Sequence, residues 1–294
     1  LYRRALEGCE ASLGAAHPST LQAANNLAAL AKAMGKLDDA EALFRRALAA
    51  YESKLGDAHP HTLTSVSNLA ILLKAQGKLD EAEALHRRAL AGREALKGPE
   101  HPEALACVNS LALLLSDRGQ LQEAEALYRR AARAYEAKLG PADPYTLTSV
   151  SNLAILLRAQ GKLREAEPLY RRVLAGREAQ LGPDHGKVLD CAAGLGLLLG
   201  ELGDREAEAE GLCRRALEGH QAQQGPEHPS ALACARSLAC VLEAQGRSAE
   251  AQELLQQLPG GREVHQSPSP ETALFVGQGL SGPLEAPRAE PLEP

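Results

Sequence analysis

A repeat of 42 residues constrains the fold of this chain more than any other feature of its sequence. The motif at residues 1–6, LYRRAL, returns as LFRRAL at 43–48, LHRRAL at 85–90, LYRRAA at 127–132, LYRRVL at 169–174 and LCRRAL at 212–217. The spacing is 42 residues four times and 43 residues once. Such a period predicts an array of supersecondary units, each of which buries its apolar face against its neighbours.

Two kinds of chain-breaking residues recur in each period, so each period should contain two structural elements. A His-Pro pair recurs at residues 17, 59, 101 and 228, with Asp-Pro at 143 and His-Gly at 185 as variants, and we number six repeats from these positions. A glycine follows at Gly35, Gly77, Gly119, Gly161, Gly203 and Gly246. Proline suits the first turn of a helix, where no N–H is needed, and glycine suits its end.

The second repeat illustrates why both elements should be helices. Residues 60–76 place apolar side chains at i, i+3 and i+4 spacing, which is one stripe of an α-helix. Residues 80–96 then begin with Asp80 and Glu81, acids that a helix N-terminus favours, and stop before Gly98. We therefore predict a helix over each of these segments, with Gly77 in the left-handed conformation between them.

The fold class predicted from this pattern is all-α, a right-handed superhelix of about six helix pairs. The array should cover residues 1–258, and residues 1–13 should form the second helix of a truncated repeat. Residues 259–294 contain seven Pro and five Gly without any period, which predicts a disordered tail. Three glycines inside the first helix of repeat five, at 194, 196 and 200, predict that this repeat is the softest.

The repeat also resembles a known family. Residues of repeat two fall on the positions of the tetratricopeptide signature: Val66, Leu69, Ala70, Leu73, Ala82, His86 and Ala89. His86 replaces the aromatic residue that other repeats have as Phe44, Tyr128 and Tyr170. The 42-residue form is similar to the repeat of kinesin light chains, which also occurs in nephrocystin-like and nucleotide-switch proteins. This resemblance implies a non-catalytic scaffold that docks partner proteins or cargo adaptors through short peptides in a concave groove. The alternative it leaves open is a regulatory array of a larger signalling protein.

A kinesin light chain also carries an N-terminal coiled coil that binds the motor chain, and no such heptad segment is present among these residues. The chain starts at Leu1, and its only methionine is Met34. We therefore expect the native N-terminus to be missing, so that kinesin heavy chain or cargo adaptors could be engaged through segments outside this sequence.

The groove can be placed by stepping about 100° per residue along each first helix, counting from the leucine that precedes the core stripe. Positions 2, 5, 6, 9, 12 and 13 then face away from the core stripe, toward the expected concave surface. In repeats one to four they are occupied by Gln22, Asn25, Asn26, Lys32, Thr64, Ser67, Asn68, Ile71, Lys74, Asn109, Leu113, Thr148, Ser151, Asn152, Ile155 and Arg158. Asp190 and Glu201 reverse the charge in repeat five, so we predict that the site lies over the first four repeats.

The chemistry of this set suits an extended peptide. Asparagine amides can pair with both backbone N–H and C=O groups, the three cations would attract acidic side chains, and the aliphatic centre could hold one bulky apolar anchor. Ordinary explanations stay open for each type: an asparagine bonded to a neighbouring helix, aliphatic packing between repeats, and solvated cations at helix ends.

Composition narrows the remaining function classes. A net charge of −6 argues against general nucleic-acid binding, and no apolar run approaches the ~20 residues that cross a bilayer. Six cysteines without CxxC spacing, in a chain without a visible signal peptide, favour reduced thiols in the cytoplasm. The histidines at helix starts should be structural, because stacked repeats ~10 Å apart cannot share a metal with ~2 Å bonds. We expect no metal, no cofactor and no catalytic set, and hence no enzyme.

Overall fold

The computed structural model describes residues 2–258, and within them the chain is all-α. Thirteen helices occur in that part of the chain: α1 (Tyr2–Leu13), α2 (Pro18–Ala33), α3 (Leu37–Leu55), α4 (Pro60–Ala75), α5 (Leu79–Lys97), α6 (Pro102–Asp117), α7 (Leu121–Leu139), α8 (Pro144–Ala159), α9 (Leu163–Leu181), α10 (Gly186–Leu202), α11 (Glu206–Gln224), α12 (Pro229–Ala244) and α13 (Ser248–Gln256). This confirms the predicted fold class. The predicted tail, 259–294, lies outside the described residues.

The helices form two compact units, one with α1–α6 and one with α7–α13. In the first unit, α2 packs on α3 and α4 on α5, while α3 and α5 also pack on the next first helix. In the second unit, α8 packs on α9, α10 on α11 and α12 on α13. None of the helices between residues 2 and 258 combines the length and apolar character that a membrane span requires.

The helix ends agree with the sequence within two residues. The segments predicted at 60–76 and 80–96 are α4 and α5, which run from 60 to 75 and from 79 to 97. Gly77 has φ of +76°, and the N–H of Lys78 closes the helix end on the carbonyl of Leu73 at 2.9 Å. A glycine is needed there because other residues rarely adopt this backbone conformation.

The recurring histidines are helix N-caps. In each case the ring Nδ1 accepts a hydrogen bond from the backbone N–H two residues later, at 3.1–3.2 Å, as seen for His17, His59, His101, His185 and His228. Asp143 does the same for α8 through Oδ1, at 2.8 Å from the N–H of Tyr145. These rings satisfy a donor that the first turn would otherwise leave unpaired, so their role is structural.

One aromatic position of the second helices anchors the core. Phe44 in the first unit and Tyr128 and Tyr170 in the second are almost fully buried, and His86 occupies the same position in α5 with 2% exposure. Small residues beside it, such as Ala82, are completely buried and let the helices approach. The repeats therefore use aromatic side chains, of which the chain has few, at a position where a large side chain fills the core.

The glycines of α10 lie at close helix contacts. A Cβ at Gly196 would lie 2.6 Å from Cys213 Sγ and 2.8 Å from the carbonyl oxygen of Ala209 in α11. Cβ atoms at Gly194 and Gly200 would come within 2.9 Å of Tyr170 and Val241 side chains. These positions need glycine for packing, which is a reason independent of flexibility. The predicted softness of repeat five stays a prediction.

The paired arginines of the second helices take part in an ordered network. Glu41 of α3 accepts hydrogen bonds from Arg45 at 2.8 Å, one turn later, and from Lys78 at 2.7 Å, in the turn before α5. These two donors, led by Lys78, lower the pKa of Glu41 to about 2. In the second unit the same three-way contact recurs around Glu125, Glu167 and Glu210. The acid thus joins each repeat to the next.

Candidate functional site

The predicted groove residues lie on α2, α4 and α6 in the first unit and on α8 in the second. Three are exposed: Gln22, Asn26 and Thr64. Seven are partly buried: Lys32, Ser67, Asn68, Ile71, Lys74, Leu113 and Thr148. Six are buried: Asn25, Asn109, Ser151, Asn152, Ile155 and Arg158. In the first unit the face is therefore most accessible on α2 and α4, whereas on α8 it is largely covered.

Several polar side chains of this face are engaged within the protein. Asn25 Nδ2 donates to Ser65 Oγ of α4 at 3.3 Å, so this amide joins two first helices. The hydroxyls of Thr64 and Ser67 donate to carbonyls one turn earlier in their own helix, at 3.0 Å. Asn68, by contrast, is partly buried and makes no hydrogen bond to other described side chains, so its amide can pair with a ligand backbone.

The cations of this face follow one pairing rule. Lys74 Nζ lies 2.6 Å from Asp117 Oδ2, which joins α4 to α6. In the second unit, Arg158 Nε lies 3.8 Å from Glu201 Oε1, which joins α8 to α10. In both cases the cation at position 12 faces an acid at position 13 of the next first helix.

Lys32 is the exception to this rule. The residue at position 13 of α4 is Ala75, and no acid within residues 2–258 lies at ion-pair distance from the Lys32 ammonium. Burial lowers the pKa of Lys32, and the neighbouring charge of Lys74 lowers it further. A partly desolvated ammonium beside a second cation is stabilised by an anion from outside, so Lys32 marks the point where this face lacks negative charge.

Sequence reasoning missed a second row of side chains, which comes from the last turns of the second helices. Arg93 of α5 donates to Thr64 Oγ1 at 3.2 Å and to Glu103 Oε2 of α6 at 2.8 Å, beside the groove residue Thr64. In the second unit the same register places Arg177 on Cys191 and His220 on Asp190. The signal was available, because a large polar or aromatic residue recurs at this register in α3, α5, α7, α9 and α11.

The aromatic members of that row stack on the next first helix. Tyr51 packs on His61 with 5.8 Å between ring centroids, and Tyr135 packs on Tyr145 at 5.6 Å. These contacts hold the start of α4 against α3 and the start of α8 against α7.

Other site classes find little support in residues 2–258. No group of three or more His, Cys, Asp or Glu side chains there is arranged to hold a metal ion. A cleft of about 480 Å³ opens between α1, α2 and α3, floored by Leu27, Leu30 and Ala31. Glu7, Glu10 and Asp39 also line this cleft, and Glu10 is paired there with Arg46.

Comparison with known proteins agrees with the repeat pattern. Two models, both described as tetratricopeptide repeat, match the chain: one at residues 61–137 and 204–258, the other at 20–61 and 146–186. Together they cover more than two thirds of the sequence. No curated protein matches it.

Solved structures show where the fold recurs. A Podosopora anserina structure, titled as a putative kinesin light chain with nearly identical TPR-like repeats, is 27% identical with a TM-score of 0.51, over 85% of this chain and 99% of the other. BtubC (BKLC) from P. vanneervenii is 21% identical with a TM-score of 0.60, over 89% and 96%. The apo form of RapI is 13% identical with a TM-score of 0.64, over 89% of both chains. The last two show the fold alone.

Proposed function

We propose, given that this chain belongs to the tetratricopeptide repeat family, that it is a scaffold holding a short acidic segment of a partner protein along the polar face of its first helices. A protein-interaction role in general is supported by the family and by its structural neighbours. The particular peptide, its charge and its place on α2 and α4 are the proposal. Similarity to a structure titled as a putative kinesin light chain favours cargo-type binding over the regulatory alternative.

The uncompensated charge of Lys32 carries this proposal. Lys74 already has Asp117 at 2.6 Å, so its attraction for a second carboxylate is reduced. Lys32 has no such partner among the described residues, and Lys74 repels its ammonium. A carboxylate bound between the two cations would relieve that repulsion and gain a charge-assisted hydrogen bond.

The surroundings of Lys32 suit a main chain beside that carboxylate. Asn26 is exposed on α2 and Asn68 is partly buried on α4, so each amide can donate to a peptide C=O and accept from a peptide N–H. Ile71 is partly exposed between them and offers an apolar contact for one side chain of the peptide. The corresponding residues of α8, Asn152 and Ile155, are buried, so the proposed contacts are confined to the first unit.

A peptide library tests this function. We expect selection from a random phage-displayed library to enrich peptides with Asp or Glu. A Lys32→Gln variant should bind the enriched peptide about tenfold more weakly in fluorescence polarisation, which corresponds to about 1.4 kcal/mol. Lys54→Gln, at an exposed lysine in the last turn of α3, is the matched control and should bind like the unmodified protein.

Two results would contradict the proposal. One is a library that enriches no acidic peptide. The other is an enriched peptide whose affinity is the same for the Lys32→Gln and Lys54→Gln variants.

A further inference from the structure

A buried arginine without a counter-charge lies near the end of α9. Arg177 is 5% exposed, and its guanidinium donates through Nη1 to Cys191 Sγ at 3.1 Å. Burial raises the pKa of Cys191 to about 11, so this thiol is neutral and supplies no negative charge. No carboxylate in residues 2–258 lies within ion-pair distance of Arg177. Burying a cation in this way is costly unless an anion accompanies it.

The acids next in sequence to Arg177 and Cys191 form ion pairs with other residues. Asp190, which precedes Cys191 in α10, has its Oδ1 3.0 Å from His220 Nε2. Glu178, which follows Arg177 in α9, has its Oε1 2.7 Å from Arg215 Nη1. Neither carboxylate lies at ion-pair distance from the Arg177 guanidinium.

The first unit shows what normally completes this arrangement. Arg93 has the same register in α5 that Arg177 has in α9, and it lies 2.8 Å from Glu103 Oε2. Glu103 also accepts from Lys97 at 2.5 Å. It is the second residue of α6, and the second residue of α10 is Lys187. The carboxylate of one junction is thus replaced by an ammonium in the other.

A second replacement at the same junction provides space and a donor. The first residue of α10 is Gly186, where α6 begins with Pro102. Gly186 has an N–H that proline lacks, and no described residue accepts it. A Cβ at Gly186 would meet only His220 Cε1, at 3.7 Å. The start of α10 therefore offers a free backbone donor at the positive end of a helix.

We propose that the junction of α9 and α10, formed by Arg177, Gly186 and Lys187, binds a carboxylate of a partner protein in the place that Glu103 fills at the junction of α5 and α6. The guanidinium and the Gly186 N–H donate to the carboxylate oxygens, and Lys187 adds positive charge at the rim. This site goes beyond the proposed function, since it uses other residues than Lys32 and lies within the second unit.

Nuclear magnetic resonance of the full chain tests the site, with the Arg177 Nε–H and Gly186 N–H signals as local reporters. One arm titrates acetylated, amidated hexaglutamate, which carries side-chain carboxylates only. The other titrates an acetylated alanine hexapeptide with a free C-terminus, and amidated hexaglutamine is the neutral control. We expect saturable shifts of both signals with at least one carboxylate peptide and none with hexaglutamine. The arm that saturates identifies the source of the carboxylate.

Lys187→Glu introduces the acid that the first unit has at this position as Glu103. The new carboxylate should pair with Arg177 and so exclude a carboxylate of the peptide. We expect this variant to weaken the carboxylate peptide at least tenfold and to unfold about 3 °C higher than the unmodified protein. Ser19→Glu places an acid at the same position of α2, where the preceding helix supplies no arginine to pair with it. This variant therefore measures the stabilisation that an acid gains from the helix dipole alone. Its unfolding temperature should rise less.

Absence of any shift at Arg177 with both peptides, or equal peptide binding by the Lys187→Glu variant, would overturn the site. A Lys32→Gln variant should leave the Arg177 shifts unchanged, so the failure of this site and the failure of the Lys32 groove are distinguished.

Discussion

His86 should make the first unit sensitive to mild acid. It occupies the buried aromatic position of α5, where Phe44 lies in α3, and it is 2% exposed. Burial, followed by repulsion from Lys74, lowers its pKa from 6.5 to about 4. The folded state therefore holds a neutral ring at a pH where the unfolded chain is already protonated. Stability is complete above pH 6.5 and is lost as pH falls toward the folded pKa.

The size of this effect follows from the two pKa values. A full shift from 6.5 to about 4 corresponds to roughly 3 kcal/mol of unfolding free energy. Between pH 7 and pH 5 the expected loss is about 2 kcal/mol, because protonation of the unfolded chain is nearly complete at pH 5 while the folded ring is still neutral. The carboxylates are the same in the two proteins compared below, so their contribution cancels.

The assay is urea denaturation at pH 7 and pH 5 of the full chain and of its His86→Phe variant. Phenylalanine occupies this position in α3 as Phe44, so the variant should fold. Its unfolding free energy should fall by about 2 kcal/mol less between the two pH values. The N-cap histidines are common to both proteins and cancel in the comparison. Equal pH dependence in the two proteins would refute the reasoning.

Three further substitutions test packing. Gly196→Ala should lower the unfolding free energy by about 1–2 kcal/mol despite the better helix propensity of alanine, because the new Cβ meets a backbone oxygen of α11; Gly211→Ala, with nothing within 4 Å, should raise it by about 0.5–1 kcal/mol. Ala31→Leu should raise it by about 1 kcal/mol, because Ala31 floors an open cleft where the other first helices carry leucine. Urea midpoints measure the stability of all three variants, and a stabilising Gly196→Ala or a destabilising Ala31→Leu would contradict these expectations.

Helix positions could be predicted well because they depend on local chemistry. Proline, glycine and the apolar spacing act within one or two turns, so the ends of α4 and α5 follow directly from the residues. The contacts of Arg45 and its equivalents could not be predicted, for the opposite reason. Lys78 reaches Glu41 from 37 residues away, and no pattern within one helix specifies that contact.

The candidate binding face could also be predicted only in part. Angular steps along a helix identify which residues share a side, but they do not reveal which polar groups are already engaged. Asn25 bonds Ser65, and Lys74 bonds Asp117, whereas Lys32 keeps an uncompensated charge. Lys32 lacks an acidic partner because the next first helix has Ala75 at position 13, where α6 and α10 have an acid. Comparing equivalent positions of successive repeats therefore carries more information than one helix alone.

The bridging glutamates have a consequence for how such a chain can change length. Each of them satisfies one cation in its own period and one in the following period, as Glu41 does with Arg45 and Lys78. Duplicating or excising one whole period would therefore recreate the same joint at the new boundary, with no orphaned charge. An insertion of another size keeps the joint only if the cation of the next period still reaches the glutamate, as Arg205 reaches Glu167 at 2.6 Å in the 43-residue period. Growth and shrinkage by complete modules meet this condition at every boundary.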